Sequence, residues 1–228
     1  MLQLYYHPSP NPLKIALYLE ETGMPYELVP IDTRKGEQHS AAFRAINPNA
    51  KTPALVDGDV KVFDSTAILL YLAQKSGQFL PPDTPAARAQ MLSWLMFVAT
   101  GIGPYCGQAV HFQHFAPEPK EYAVNRYSFE AERHWLLVEE QLAGNNWMVG
   151  DSYTLVDMAV WGWARMIPRF LADGYARLPN VKRHLDAINA RPAAQRAEAL
   201  KERFKFKQEM DDEARKVMFP QNERLVAG

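Results

Sequence analysis

MLQLYYHPSPNPLKIALYLEETG, residues 1–23, decides how the chain begins to fold. MLQLYY is a short apolar run rich in aromatic residues and reads as a strand. The stretch HPSPNP alternates three prolines with the small polar residues Ser9 and Asn11 and reads as a turn. Lys14 to Thr22 then reads as a helix, with Ile15, Leu17, Tyr18 and Leu19 apolar and Gly23 just past its end. A polar turn between a strand and a helix can aim hydroxyl and amide hydrogens at a ligand above the strand. Thiol chemistry needs such donors, because the thiolate is the reactive form. The turn holds no cysteine, so a thiol reacting there belongs to the ligand.

Working outward, YELVPI from Tyr26 reads as a second strand. DTRKGEQHSAAFRAINP is polar, with a short helix around Ala41 to Ala45. TPALVDGDVKVFD reads as a hairpin turning at Gly58, and STAILLYLAQKSG as a helix capped by Ser65 and stopped by Gly77. The order β-α-β, α, β-β-α predicts a thioredoxin-like α/β layer over residues 1–80. QFLPPDTPA, residues 78–86, is a proline-rich joint. Beyond it the strand signals vanish. Helical periodicity runs from Ala87 to about Phe115, Tyr122 to Ala143, Leu155 to Asp173 and Val181 to Ala190. Thr154 followed by Asp157 is an aspartate variant of the capping box. From Glu198 to Lys216 charges alternate at helical spacing, which predicts a solvated helix. The plan is an α/β domain followed by an all-α helical bundle over 87–228.

The 228 residues are enough for one large or two small domains, their 47% hydrophobic content allows a substantial core, and the net charge of −1 argues against a broad electrostatic nucleic-acid surface. The single cysteine, Cys106, excludes an intrachain disulfide framework and fits a reducing compartment. No secretory pattern opens the chain, and no apolar run approaches the roughly 20 residues of a membrane helix. These features predict a soluble, cytoplasmic protein without a membrane partner.

Several positions carry candidate chemistry. Thr52-Pro53 stands at a strand start; a cis bond there would turn the Thr52 backbone toward an extended peptide, and an edge-strand proline is the plainer use. Asp64-Ser65 stands where a strand ends and a helix begins. The free N–H groups of a helix start attract a carboxylate, and Asp64 can pair with an ammonium, so one site can read both charges of an α-amino acid. Simple N-capping is the commoner use of such residues. Gln38 offers a donor and an acceptor, as would a solvated loop glutamine. His39 can meet a carboxylate. Tyr5 and Tyr6 can donate from a strand, where tyrosines also pack in cores. Ser9 and Asn11 favour turns for local reasons as well. Cys106 reads as a small buried residue. His111 and His114 share a helical face, but no further ligand completes a zinc site in the sequence, so no metal is expected. Trp94, Phe97, Phe112, Phe115, Trp161 and Trp163 read mostly as core, with a subset lining an apolar pocket that faces the first domain.

Together these pieces resemble the cytosolic glutathione S-transferases over about residues 1–195. Within that family the chain is most similar to the bacterial Nu class and the related yeast prion-type nitrogen regulator. The stretches that carry the likeness are SPNPLKI, KGEQ, FRAINPNAKTPALVD, DSTAILLYLAQKSG, GIGPYCGQAVHF and YAVNRY. The resemblance implies a homodimer that takes glutathione as co-substrate. It implies glutathione contacts from Asn11, Gln38, the Lys51-Thr52-Pro53 turn, Asp64 and Ser65, and thiol activation by Ser9 and Asn11. It also implies that Arg126, with Arg133 as fallback, reaches a second glutathione or the second half of glutathione disulfide. Class members commonly carry Thr at the place of Ser9 and Glu at the place of Asp64; the hydroxyl and the charge are kept. Tyr6 sits where other classes of the family place a catalytic tyrosine.

The implied activity is glutathione-dependent disulfide reduction with some transferase activity, the bound thiolate being the nucleophile. One alternative is a detoxifying transferase or lyase acting on a carbon electrophile or a thioether. Another is a glutathione-binding regulator with little turnover.

Overall fold

The computed structural model describes residues 1–225. The last three positions of the expected 87–228 domain lie outside the described residues. The first half builds a four-stranded sheet from β1 (Leu2–Tyr6), β2 (Tyr26–Pro30), β3 (Ala54–Asp57) and β4 (Val60–Phe63), in the order β2-β1-β3-β4. β1 pairs parallel with β2, Leu4 opposite Leu28, and antiparallel with β3, Leu4 opposite Leu55. The parallel pair is joined by α1 (Pro10–Thr22); α2 (Ala41–Arg44) and α3 (Ser65–Ser76) complete the thioredoxin-like layer. Gly23, Gly58 and Gly77 all have positive φ, so the sequence-predicted stops and hairpin turn fall on residues that take this backbone without a Cβ clash.

α1 starts four residues earlier than the apolar pattern suggests. Ser9 is its N-cap, and Pro10 opens its first turn, where a missing N–H costs nothing. This helix is buried nearly all round, from Pro12 to Leu19. One side faces the sheet and the other faces the helical domain, as expected of a helix without a polar face.

The second half contains α4 (Pro85–Phe97), α5 (Gly103–His114), α6 (Glu121–Gln141), α7 (Leu155–Ala164), α8 (Pro179–Asn189) and α9 (Pro192–Ala199). The run expected from Ala87 to Phe115 is interrupted at Val98–Ile102 by a π-turn. There Gly101 lets the His134 ring approach; a Cβ would lie 2.6 Å from it. α7 lies fully buried at the centre of the bundle and carries the complete capping box expected at Thr154 and Asp157. It ends at Ala164 rather than near Asp173, and a short 3₁₀ turn containing Pro168 follows.

Three readings are corrected. Asp64, not Ser65, caps α3: its Oδ1 accepts from the N–H groups of Thr66 (2.8 Å) and Ala67 (3.1 Å). The predicted helix from Glu198 to Lys216 is broken. Its start belongs to α9 and a 3₁₀ turn over Leu200–Arg203, residues 204–211 are not helical, and Asp212–Met218 forms a separate helix, α10. The chain there is not a solvated appendage either. Phe206 packs edge-on against His7, centroids 5.1 Å apart, and the Lys207 N–H donates to Asp32 Oδ2 at 2.8 Å. Two phenylalanines interrupt the charged pattern, and their burial pulls the tail back across the first domain.

Candidate active site

A cleft of about 720 Å³ opens where the first domain, the helical domain and the tail meet. The β1–α1 turn supplies Tyr6, His7, Pro8, Ser9 and Pro10. The segments around Thr33–His39 and Asn49–Thr52 form the second wall, Val110, Phe115, Arg165, Met166 and Arg169 the third, and Met210, Met218, Pro220 and Gln221 of the tail the fourth. Arg34, Lys51, Arg165, Arg169 and Lys201 line it against one carboxylate, Glu198. The cleft therefore favours an anionic ligand.

The tail is tied down at this rim. The His39 Nε2–H donates to Val217 O at 2.9 Å, Arg34 Nη1 donates to Lys207 O at 3.1 Å, and Phe219 packs on His111 and Phe115. His114 bonds Arg169 O at 2.7 Å. The two histidines thus serve packing and a backbone contact.

Ser9 lies on the cleft wall at the mouth of α1, its Oγ 3.5 Å from His7 O. Asn11 stands in the first turn of α1. Its Oδ1 accepts from Trp163 Nε1–H at 3.0 Å, which fixes the amide orientation and leaves Nδ2 as the donor end. Gln38 is buried. Its Nε2 donates to Thr33 O at 3.1 Å, while Oε1 has no partner among the described residues. A buried amide oxygen without a donor is costly unless a ligand N–H meets it.

The Thr52–Pro53 peptide is cis, and Lys51 and Thr52 line the same wall. Asp64 has φ +71°, a backbone rarely taken by a residue with a side chain and one that costs about 1–3 kcal/mol. Its two capping bonds hold it there. Ser65 is buried at the first position of α3, and its Oγ accepts from Lys14 Nζ at 3.3 Å.

Tyr6 is fully buried, its hydroxyl has no partner among the described residues, and burial pushes its pKa upward, so it stays a neutral donor. Cys106 is buried under the bundle with Trp135 Nε1–H on its sulfur at 3.3 Å, and burial pushes the thiol up to about 12. Such a thiol stays protonated at neutral pH.

Not every expected residue lines the cleft: Ser9, Gln38, Lys51 and Thr52 do, whereas Asn11, Pro53, Asp64 and Ser65 are not among its lining residues. Arg126 pairs with Glu130 at 3.0 Å on α6, as does Arg133 at 2.9 Å, and neither lines the cleft of this chain. The arginines that do are Arg34, Arg165 and Arg169, which sequence reasoning passed over. Their signal was faint: Arg34 sits just before KGEQ, and the other two sit in RMIPR after a helix that ends early.

The sequence matches the family described as glutathione S-transferase, N-terminal domain, over residues 1–74, and as glutathione S-transferase, C-terminal domain, over residues 94–192. The chain belongs to the glutathione S-transferase family. It is 40% identical to a protein named disulfide-bond oxidoreductase YfcG of Escherichia coli, covering 86% of this chain and 94% of that relative. It is similar in structure to a glutathione transferase of Pseudomonas putida with one glutathione disulfide bound per subunit (TM-score 0.81, 37% identity, 86% and 90% of the two chains). It is also similar to a glutathione transferase of Burkholderia graminis with two glutathione molecules bound per subunit (TM-score 0.83, 38% identity, 89% of each chain). Among the described residues no group of side chains suits a metal ion, and no helix is long and apolar enough to cross a membrane.

Proposed function

We propose that the cleft binds glutathione and uses its thiolate to reduce a disulfide, with glutathione disulfide as the product. The observation that carries this reading is the fixed Asn11 amide: Trp163 holds Oδ1, which leaves Nδ2 as the donor end, two residues along the chain from Ser9 on the cleft wall. The only protein thiol is buried elsewhere and held protonated. The sulfur therefore comes with the substrate.

The residues fit the tripeptide. Asp64 carries the charge for the γ-glutamyl ammonium, and Ser65 with the start of α3 suits its carboxylate. Gln38 Oε1 awaits a donor. The Thr52 backbone beside the cis bond suits pairing with the cysteinyl main chain. A free thiol has a pKa of about 8.5. Lowering it by about two units takes roughly 2.7 kcal/mol in favour of the anion. One or two donors from Ser9 Oγ and Asn11 Nδ2 in a shielded cleft supply that much. The thiolate attacks one sulfur of the disulfide, forming a mixed disulfide and expelling the other sulfur as a thiolate that takes a proton from water; a second glutathione thiolate then attacks the glutathione sulfur of the mixed disulfide, forming glutathione disulfide and expelling the remaining substrate thiolate, which is protonated in the same way. Cationic Arg34, Arg165 and Arg169 suit the carboxylates of that second molecule. Arg126 would serve there only if the helical domain or a second subunit brings it closer.

The family likeness further supports a homodimer. Leu92 and Met96 of α4 and Leu137 of α6 are exposed apolar residues of the kind a second copy covers, an assignment that sedimentation decides.

The reading is tested with Cys106→Ala. Glutathione-dependent reduction of a small dialkyl disulfide is expected to stay within about twofold of wild type, since that thiol takes no part. A loss of about tenfold or more would move the chemistry to the protein sulfur.

A further inference from the structure

Lys14 is the most unusual buried residue of the chain. It is 1% exposed, and its stem runs through the joint between α1 and α7. Gly162 makes room for it: a Cβ there would lie 2.6 Å from Lys14 Cγ and 2.7 Å from Pro10 O. Among the described residues the ammonium has one hydrogen-bond partner, Ser65 Oγ at 3.3 Å. An ammonium buried with one long hydrogen bond gives folding little and costs several kcal/mol in desolvation. A methionine would fill the same channel without that cost, so stability does not account for the charge.

We propose that Lys14 is a positioning residue for the carboxylate end of glutathione, acting through Ser65. The inference rests on the reading of the α3 start as the γ-glutamyl site. A serine hydroxyl that accepts from an ammonium keeps only its own hydrogen to give. Lys14 thereby commits Ser65 to act as a donor. It also adds a positive charge behind the first turn of α3, the end of the helix whose dipole already favours an anion. Asp64 takes the opposite role at the same junction: its Oδ1 is held by Thr66 N–H and Ala67 N–H. Thr66 Oγ1, also buried, has no partner among the described residues. The two ends of an α-amino acid would thus meet Asp64 and the Lys14–Ser65 pair.

Burial lowers the Lys14 pKa to about 7, with Asp64 opposing the shift. A bound carboxylate would hold the ammonium charged, which couples occupancy of the site to this residue.

A double-mutant cycle on glutathione affinity, measured by calorimetry together with thermal melting, tests the inference. Lys14→Met is expected to weaken binding about tenfold while the melting temperature holds or rises, because a buried charge has been removed. Ser65→Ala is expected to weaken binding by a similar factor, and the double variant no further than about the worse single, since both act through one bond. If Lys14→Met binds within about twofold of wild type, or the two effects multiply, the positioning role is wrong. If Lys14→Met lowers the melting temperature with affinity intact, the residue is structural. If Ser65→Ala binds like wild type while Lys14→Met is weakened, Lys14 does not act through Ser65. If Ser65→Ala and Lys14→Met both bind like wild type, the γ-glutamyl site itself has been misplaced.

Discussion

Asn11→Ala is expected to cut glutathione-dependent disulfide turnover by at least about tenfold, because a hydrogen bond to a charged sulfur contributes roughly 1.5–3 kcal/mol. The substitution also strips the Trp163 indole of its acceptor, so some stability is lost with the activity. Asn11→Asp separates the two effects. It keeps an oxygen for Trp163 and sets a negative charge where the thiolate would form. Stability is then expected to hold while turnover falls further than in the alanine variant. Ser9→Ala is expected to lose about tenfold as well, on the same ground. Tyr6 is the rival donor, buried and without a hydroxyl partner among the described residues. Steady-state rates of the four variants, Tyr6→Phe among them, decide the matter. Near-normal Ser9 and Asn11 variants with a dead Tyr6→Phe would assign the thiol to Tyr6.

The largest loss of stability is expected at Asp157. This carboxylate is fully buried and accepts four hydrogen bonds: from Met148 N–H (2.8 Å), Thr154 N–H (2.8 Å), Thr154 Oγ1–H (3.0 Å) and His184 Nε2–H (2.9 Å). It closes the capping box of the central helix and ties the 148–154 loop and α8 to it. Asp157→Ala leaves those donors buried without an acceptor, which costs about 3–5 kcal/mol. Urea denaturation should show the midpoint falling by a large fraction of its value with the slope unchanged. A shift under about 1 kcal/mol would mean that water or a rearranged loop takes over the bonds.

Much of this fold is legible in short windows. The strand, turn and helix of residues 1–23, the hairpin at Gly58, the stops at Gly23 and Gly77 and the Thr154–Asp157 box depend on neighbours a few residues apart, and the structure has each of them. The family pattern also pointed at Ser9, Gln38 and Thr52, which do meet at one cleft. What periodicity misses is settled by partners far along the chain. Lys14 sits in a helix read from its apolar residues, yet the second domain buries the lysine along with them. The tail shows charged spacing, yet Phe206 and Lys207 find His7 and Asp32 more than 170 residues away. Asp64 rather than Ser65 caps α3 because the chain turns through positive φ there, and no local propensity announces that turn. The cationic lining has the same origin, since Arg34, Arg165 and Arg169 converge only when both domains and their connections are in place.

Steady-state rates with glutathione and either a small dialkyl disulfide or chlorodinitrobenzene test the central claim most directly. Each rate is read as kcat/KM for the second substrate. A cationic cleft with a substrate-borne thiolate and no protein thiol should favour the disulfide by about tenfold or more. A clear preference for chlorodinitrobenzene would contradict the disulfide-reductase account and leave a carbon electrophile as the partner of that thiolate.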